Sequence, residues 1–132
     1  MAQVTTRILG QGESKLMLHV WLESDGSGEL SDQVLVSPDE LVPKLDLSPT
    51  LRILQVWHSF VWFDAVLKFG GIVPRPFWAL ARDAKGHFDF RHFGGLCDYA
   101  SVPPSDDNGK ILLSTNGFTL GSQGSIVIEF RK

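Results

Sequence analysis

The sequence has a single cysteine, Cys97, in 132 residues. One cysteine excludes the internal disulfide framework that stabilises many small secreted domains. A chain of this length can bury a core of its own, because folding removes roughly two-thirds of its unfolded surface from water. We therefore expect one domain over 1–132 that folds without disulfides or a structural metal, in a reducing compartment.

Charge is also scarce, and its two signs nearly balance. Twelve Lys and Arg oppose 15 Asp and Glu, which gives a formal net charge of −3. The basic residues are scattered singly, so no stripe of Lys and Arg is available to neutralise a phosphate backbone. The composition predicts no nucleic-acid partner, and a hydrophobic fraction of 43% predicts a folded chain.

A long uninterrupted apolar run is missing as well. The most hydrophobic stretch, 51–73, is broken by four polar or charged side chains, Arg52, His58, Asp64 and Lys68. A membrane helix needs about 20 predominantly apolar residues, so no membrane partner is expected. The segment 1–15 has no basic start followed by an apolar core, so no standard secretory signal is predicted.

Alternation of apolar and polar residues is the strongest pattern present. Four apolar side chains share one face of a strand whose other face is mixed: Leu16, Leu18, Val20 and Leu22. Short strands with turns every 8–12 residues or so are typical of sandwiches. The chain is predicted to be all-β, an antiparallel β-sandwich, jelly-roll-like, of about eight or nine short strands, with an extended N-terminal segment over 1–13.

Two local features refine this prediction. The loop Asp25–Gly28 is typical of a hairpin, because its glycines permit positive φ, and it predicts a returning strand over 30–36. The segment 51–69 is apolar on both alternating faces and predicts two strands linked near Ser59, although hydropathy alone also fits a helix. Six residues on alternating apolar faces are expected in the core: Leu18, Val20, Ile53, Leu67, Leu112 and Ile126.

Three polar groups offer chemistry without the spacing that it needs. His87, Asp89 and His92 are metal-ligand types, but on a strand His92 points away from the other two. Cys97 lacks any nucleophile signature around it, and a calcium loop starting at 106 would have no glycine at its sixth position and no closing Glu. We expect no enzyme, no metal and no cofactor, with a thiol hydrolase using Cys97 and His92 as the least favoured alternative.

Aromatic side chains are dense in 77–99. Trp, Tyr and Phe are enriched at protein interfaces, and so small a domain has limited interior in which to cover them. Five of these side chains are predicted to form a partner interface: Trp78, Phe88, Phe90, Phe93 and Tyr99. The alternative is that most of them belong to the core. The first strand, Gln3–Leu9, has only Arg7 as a charged residue and is expected to pair with a neighbouring edge.

Several strand and turn segments together form a distinctive set, among them Phe90–Leu96 (FRHFGGL), Gly109–Gly117 (GKILLSTNG) and Ile126–Lys132 (IVIEFRK). The opening strand followed by Asp25–Glu29 (DGSGE) belongs to the same set. Through these segments, much of the chain resembles a group of small virion proteins of tailed bacteriophages. Members of the group are compact β-sandwich proteins without known catalysis.

This resemblance implies a structural virion protein assembled in the host cytoplasm. It implies a capsid decoration or cement protein that docks on the major capsid protein or another virion protein and stabilises the lattice. The surplus of large apolar residues adds an expectation of self-association as a trimer or dimer. Two alternatives remain open: a neck or tail protein of the same particle, and a carbohydrate- or small-ligand-binding sandwich that uses the loop 87–109.

Overall fold

The fold is built almost wholly from β-strands. A computed structural model describes residues 3–11, 15–36, 52–71, 75–82, 85–93, 95–96 and 107–131. Within these ranges the strands are β1 (Gln3–Gln11), β2 (Lys15–Glu23), β3 (Gln33–Val36), β4 (Arg52–Val61), β5 (Asp64–Gly71), β6 (Arg75–Leu80), β7 (Lys85–Asp89), β8 (Asp107–Asn116) and β9 (Gln123–Arg131). A short 3₁₀ turn follows β7 at Arg91–Phe93. None of the described residues forms a helix long and apolar enough to cross a membrane.

The strands form two antiparallel sheets. One has the order β1-β2-β9-β4-β7 and the other β3-β8-β5-β6. The pairs are nested: β2 pairs with β9, β3 with β8, β4 with β7, and β5 with β6. One long hairpin rolled onto itself gives this nesting, which is the topology of a jelly roll. The predicted antiparallel sandwich is confirmed, with β1 added at the edge of the first sheet.

The core lies between the two sheets and follows the alternation of the sequence. On β2 the side chains of Leu16, Leu18, Val20 and Leu22 point inward and are buried, while their neighbours are half-buried or exposed. Strand β9 shows the same pattern, with Ile126, Ile128 and Phe130 inside. All six residues expected in the core are buried: Leu18, Val20, Ile53, Leu67, Leu112 and Ile126.

Two local predictions are wrong in their connectivity. The loop Asp25–Gly28 does not close a hairpin, because β2 lies in the first sheet and β3 in the second. The segment 51–69 does form two strands, but their link lies at Trp62 and Phe63 and not near Ser59. Inward alternation continues past Ser59 to Phe60, which is buried, so the strand extends until the apolar face ends.

Several expectations fall on residues outside the described ranges. They include the part 97–106 of the loop 87–109, with Cys97 and Tyr99. The part of this loop that is described approaches β4, because Leu96 and Ile53 exchange two backbone hydrogen bonds of 2.8 and 2.9 Å. The start of the loop is therefore attached to the first sheet.

Candidate functional site

Three of the five predicted interface residues pack against one another. The Trp78 ring on β6 meets the rings of Phe88 and Phe90 edge-on, with centroids 5.1 and 4.8 Å apart. Phe90 is buried, and Trp78 and Phe88 are half-buried. Edge-to-face packing is a favoured arrangement of aromatic rings. The Phe93 side chain and Tyr99 lie outside the described part of the structure.

A cavity of about 380 Å³ lies beside these rings. Its lining is mostly apolar, and the described residues that form it are Trp78, His87, Phe88, Asp89, Phe90, His92 and Leu96. The indole Nε1 of Trp78 is buried and has no hydrogen-bond partner. An unpaired buried donor costs free energy.

The side chains of the candidate metal group have other partners. The His87 ring stacks on Trp57, with centroids 4.9 Å apart, and its Nε2 lies 2.8 Å from Oε1 of Gln55. The Arg91 side chain donates two hydrogen bonds to the Asp89 carboxylate, at 3.0 and 2.8 Å. These bonds and one from the Arg91 backbone hold the pKa of Asp89 well below its usual range.

No group of three or more His, Cys, Asp or Glu within the described residues is arranged to hold a metal ion. Cys97 lies outside those residues, and of the segment 106–109 only the backbone of 107–109 is described, at the start of β8. The described residues therefore do not test the thiol hypothesis or the calcium hypothesis, and both stay predictions from the sequence.

A buried histidine lies next to the aromatic corner. The His58 ring on β4 points into the core, stacks on Phe88 at 5.7 Å and contacts Phe60 at 5.0 Å. Neither ring nitrogen has a hydrogen-bond partner of good geometry. Burial lowers the pKa of His58, against a weaker opposing effect of the Ala81 backbone. The ring is consequently held in its neutral form.

Five large apolar side chains among the described residues are exposed: Ile8 and Leu9 on β1, and three at one end of the sandwich. Val61, Trp62 and Leu120 are 40%, 57% and 72% exposed, and we call these three residues the apolar tip. Trp62 has φ of +69°, in the left-handed region that bulky side chains rarely adopt. Its ring lies over Gly121, where an added Cβ would approach the ring to 2.8 Å.

Hydrogen bonds across the sandwich hold the loops that carry the tip. The Glu29 carboxylate accepts bonds from the backbone N–H groups of Gly117 and Phe118 and from the Thr115 hydroxyl, at 2.8–2.9 Å. Burial alone would raise the pKa of Glu29. These bonds, with nearby Arg82, outweigh that effect and lower it. The backbone N–H of Ser24 also donates to the Ser122 carbonyl at 2.9 Å.

Sequence reasoning did not identify the tip. Trp62 continues an apolar run, and tryptophan is a residue type enriched in strands, so nothing local marks this position as a turn. Leu120 gave a weak signal, because it is a large apolar residue directly before the turn residue Gly121. The interface hypothesis instead named five aromatic residues, and the three whose side chains are described, Trp78, Phe88 and Phe90, pack together.

Comparison of the chain with protein-family models, with curated proteins and with solved structures finds no match. Functional inference therefore rests on the residues and their geometry.

Proposed function

We propose that this domain is a structural virion protein of a tailed bacteriophage, a capsid decoration or cement protein that docks on the major capsid protein through its apolar tip. The exposed Trp62 is the single observation that carries the docking mode. The virion itself is proposed from the sequence resemblance. Jelly rolls occur in viral capsid proteins and also in lectins, so the fold agrees with this role without selecting it.

The tip has the features of a binding hot spot. Tryptophan is enriched among the residues that dominate interface energies, and it buries a large area when a pocket covers it. Trp62 and Leu120 present such area to solvent at neighbouring turns. An apolar socket with a polar rim on the partner would remove both side chains from water.

The tip is also organised before any partner arrives. Trp62 rests on Gly121, and Leu120 packs close to Gly26, where an added Cβ would lie 3.3 Å from the Leu120 Cβ. Glu29, in the β2–β3 connection, fixes the Gly117–Phe118 backbone of the β8–β9 connection. Binding then orders few new torsions, so less of the interaction energy is lost to conformational entropy. Backbone strain such as that at Trp62 also concentrates at functional sites.

Purified particles test this proposal directly. Mass spectrometry should detect the chain in virions, and electron microscopy should place it on the capsid surface. Particles assembled with the Trp62→Ser variant should carry at least about tenfold fewer copies of the chain, because a hot-spot truncation removes much of the binding energy. Trp21→Ser is the matched control, since Trp21 is half-buried on the outer face of β2, away from the tip.

Two results would reject the proposal. One is absence of the chain from purified particles, and the other is unchanged copy number in a folded Trp62→Ser variant. Density at the neck or tail, with loss of the chain on Trp62→Ser, would reject the capsid position and keep the docking mode.

A ligand-binding role is the second candidate, and the cavity beside Trp78 is the observation that favours it. Its apolar lining suits a small ring-shaped ligand or sugar. Glycan-array screening, followed by titration of Trp78→Phe, tests this role. Saturable binding that the variant loses would support it, and no binding by the wild-type protein would remove it.

A further inference from the structure

Strand β1 is the longest open edge among the described strands. Its nine residues pair only with β2 among the described strands, so the backbone N–H and C=O groups on its other side have no strand partner there. The other edges are shorter: β3 has four residues, β7 has five, and β6 has six with Pro76 inside. Short strands and proline protect an edge from pairing, and β1 has neither protection.

The inward face of β1 is left partly uncovered. Val4, Thr6 and Ile8 pair with Leu22, Val20 and Leu18 of β2, which are buried. Ile8 nevertheless remains 42% exposed, and Val4 is half-buried. The inward face of the first sheet therefore continues onto β1, where its side chains are less well covered than those of β2. An unpaired backbone edge next to such a stripe is chemically suited to one class of partner, another β-strand.

We infer that β1 pairs with β1 of a second copy of this chain, antiparallel across a two-fold axis through Thr6. The two first sheets then form one continuous sheet. The inference goes beyond the proposed function and does not depend on it. Because Gln3 lies at the tip end of the first sheet and the paired strands run antiparallel, the two apolar tips lie at opposite ends of the dimer.

The pattern of residues selects this register. With the axis at Thr6, residues equidistant from it face each other, so Val4 meets Ile8 twice on the inward face. Apolar β-branched pairs and a Thr–Thr pair stabilise antiparallel strands. On the outer face Arg7 meets Thr5. An axis at Arg7 would oppose two like charges, and an axis at Thr5 would leave Ile8 beyond the paired segment.

The geometry of β1 also fits this segment. Its register against β2 is regular from Gln3 to Ile8 and shifts only between Ile8 and Gly10. The residues that the inferred dimer pairs, from Val4 to Ile8, all lie in the regular part. A net charge of −3 gives little repulsion between two copies.

Sedimentation equilibrium of the full chain should show a dimer. Thr6→Lys places two lysines opposite each other at the axis and should weaken the dimer by about tenfold or more, with an unchanged circular dichroism spectrum. Thr119→Lys is the matched control, since Thr119 is exposed in a turn and outside β1, and it should remain dimeric. A monomeric wild-type protein, or an undiminished dimer in Thr6→Lys, would overturn the inference.

Cysteine cross-linking tests the register in a Cys97→Ser background. Thr6→Cys should form a disulfide-linked dimer on mild oxidation, because facing Cα atoms lie within the reach of about 7 Å that a disulfide allows. Thr5→Cys should not, since each Thr5 faces Arg7 and the two Thr5 residues are offset along the strands. Cross-linking of Thr5→Cys instead of Thr6→Cys would refute the axis at Thr6.

The two proposals fail in different ways. A dimer with the predicted cross-link, in a protein absent from virions, would reject the virion role and leave β1 pairing intact. A monomer that still occupies particles through Trp62 would do the reverse.

Discussion

The Glu29 carboxylate accepts a hydrogen bond of 2.9 Å from the backbone N–H of Phe118, across 89 residues of chain. Glu29 lies where the chain crosses from β2 to β3, and Phe118 where it crosses from β8 to β9. The nested strand pairing brings these two crossings to the same end of the sandwich as the β4–β5 link, which contains Trp62. One charged side chain therefore joins the loops that display the apolar tip.

Substitution Glu29→Gln should lower stability near neutral pH by about 1–2 kcal/mol, a value kept small because the group is largely exposed. The amide keeps the size of the side chain but accepts fewer and weaker bonds. Because the folded-state pKa is lowered, the carboxylate contributes stability above its ordinary value of 4.5 and loses it as pH falls through the folded-state value.

Urea unfolding of Glu29→Gln and wild type at pH 7 and at pH 3 checks this prediction. The gap between the two proteins should be largest at pH 7 and shrink in acid. Glu23→Gln, at an exposed strand end, serves as the control and should match the wild type at pH 7. A gap that grows in acid would contradict the assigned role of Glu29.

Substitution Trp62→Asn should separate stability from docking. Asparagine tolerates the left-handed conformation that Trp62 adopts, so relief of strain offsets the lost contact with Gly121. The free energy of unfolding should change by less than about 1 kcal/mol, while copy number on particles falls. Phe63→Ala is the contrast, because this adjacent side chain is fully buried and its truncation should cost about 3–5 kcal/mol. Equal costs for both variants would show that Trp62 is a core residue.

Substitution Gly86→Ala should destabilise the β4–β7 pair. Gly86 faces His58 across the two strands, and a Cβ there would lie 2.3 Å from the His58 Cε1 atom. The buried ring cannot move without displacing Phe60 or Phe88, so we expect a loss of about 1–3 kcal/mol. Gly10→Ala is the control, because nothing lies within 4 Å of its added Cβ. Chemical denaturation of both variants measures the difference, and equal stability would show that the ring has room to move.

The sequence predicts the interior better than the connections. Period-two alternation is a local property, so Leu18 and Ile126 could be assigned to the core without knowledge of their neighbours. The crossing after Asp25–Gly28 depends on Glu29 binding backbone groups 88 and 89 residues away, which no local pattern encodes. The turn at Trp62 could not be predicted for a related reason. A bulky residue with positive φ contradicts local preference and is held by tertiary contacts.

Substitution His58→Leu should remove part of the acid sensitivity of the domain. Burial lowers the pKa of His58 below its ordinary value of 6.5, so the unfolded chain takes up a proton more readily than the folded one. The stability associated with the neutral ring is fully present above pH 6.5 and is lost as pH falls toward the folded-state pKa. Phe60, Phe88 and Gly86 lie against the ring and carry no charge, and the Ala81 backbone offsets the effect of burial only in part. Leucine also removes two unpaired nitrogens, so the variant should be as stable as wild type at pH 7.5 or more stable by about 1 kcal/mol.

Urea titrations at pH 7.5 and pH 5 should show a smaller loss of stability in His58→Leu than in wild type, whereas His19→Gln, on the outer face of β2, should keep the wild-type loss. An unchanged loss in His58→Leu would mean that the buried ring does not resist protonation, and the orphaned nitrogens would then need a partner that accepts the charged form.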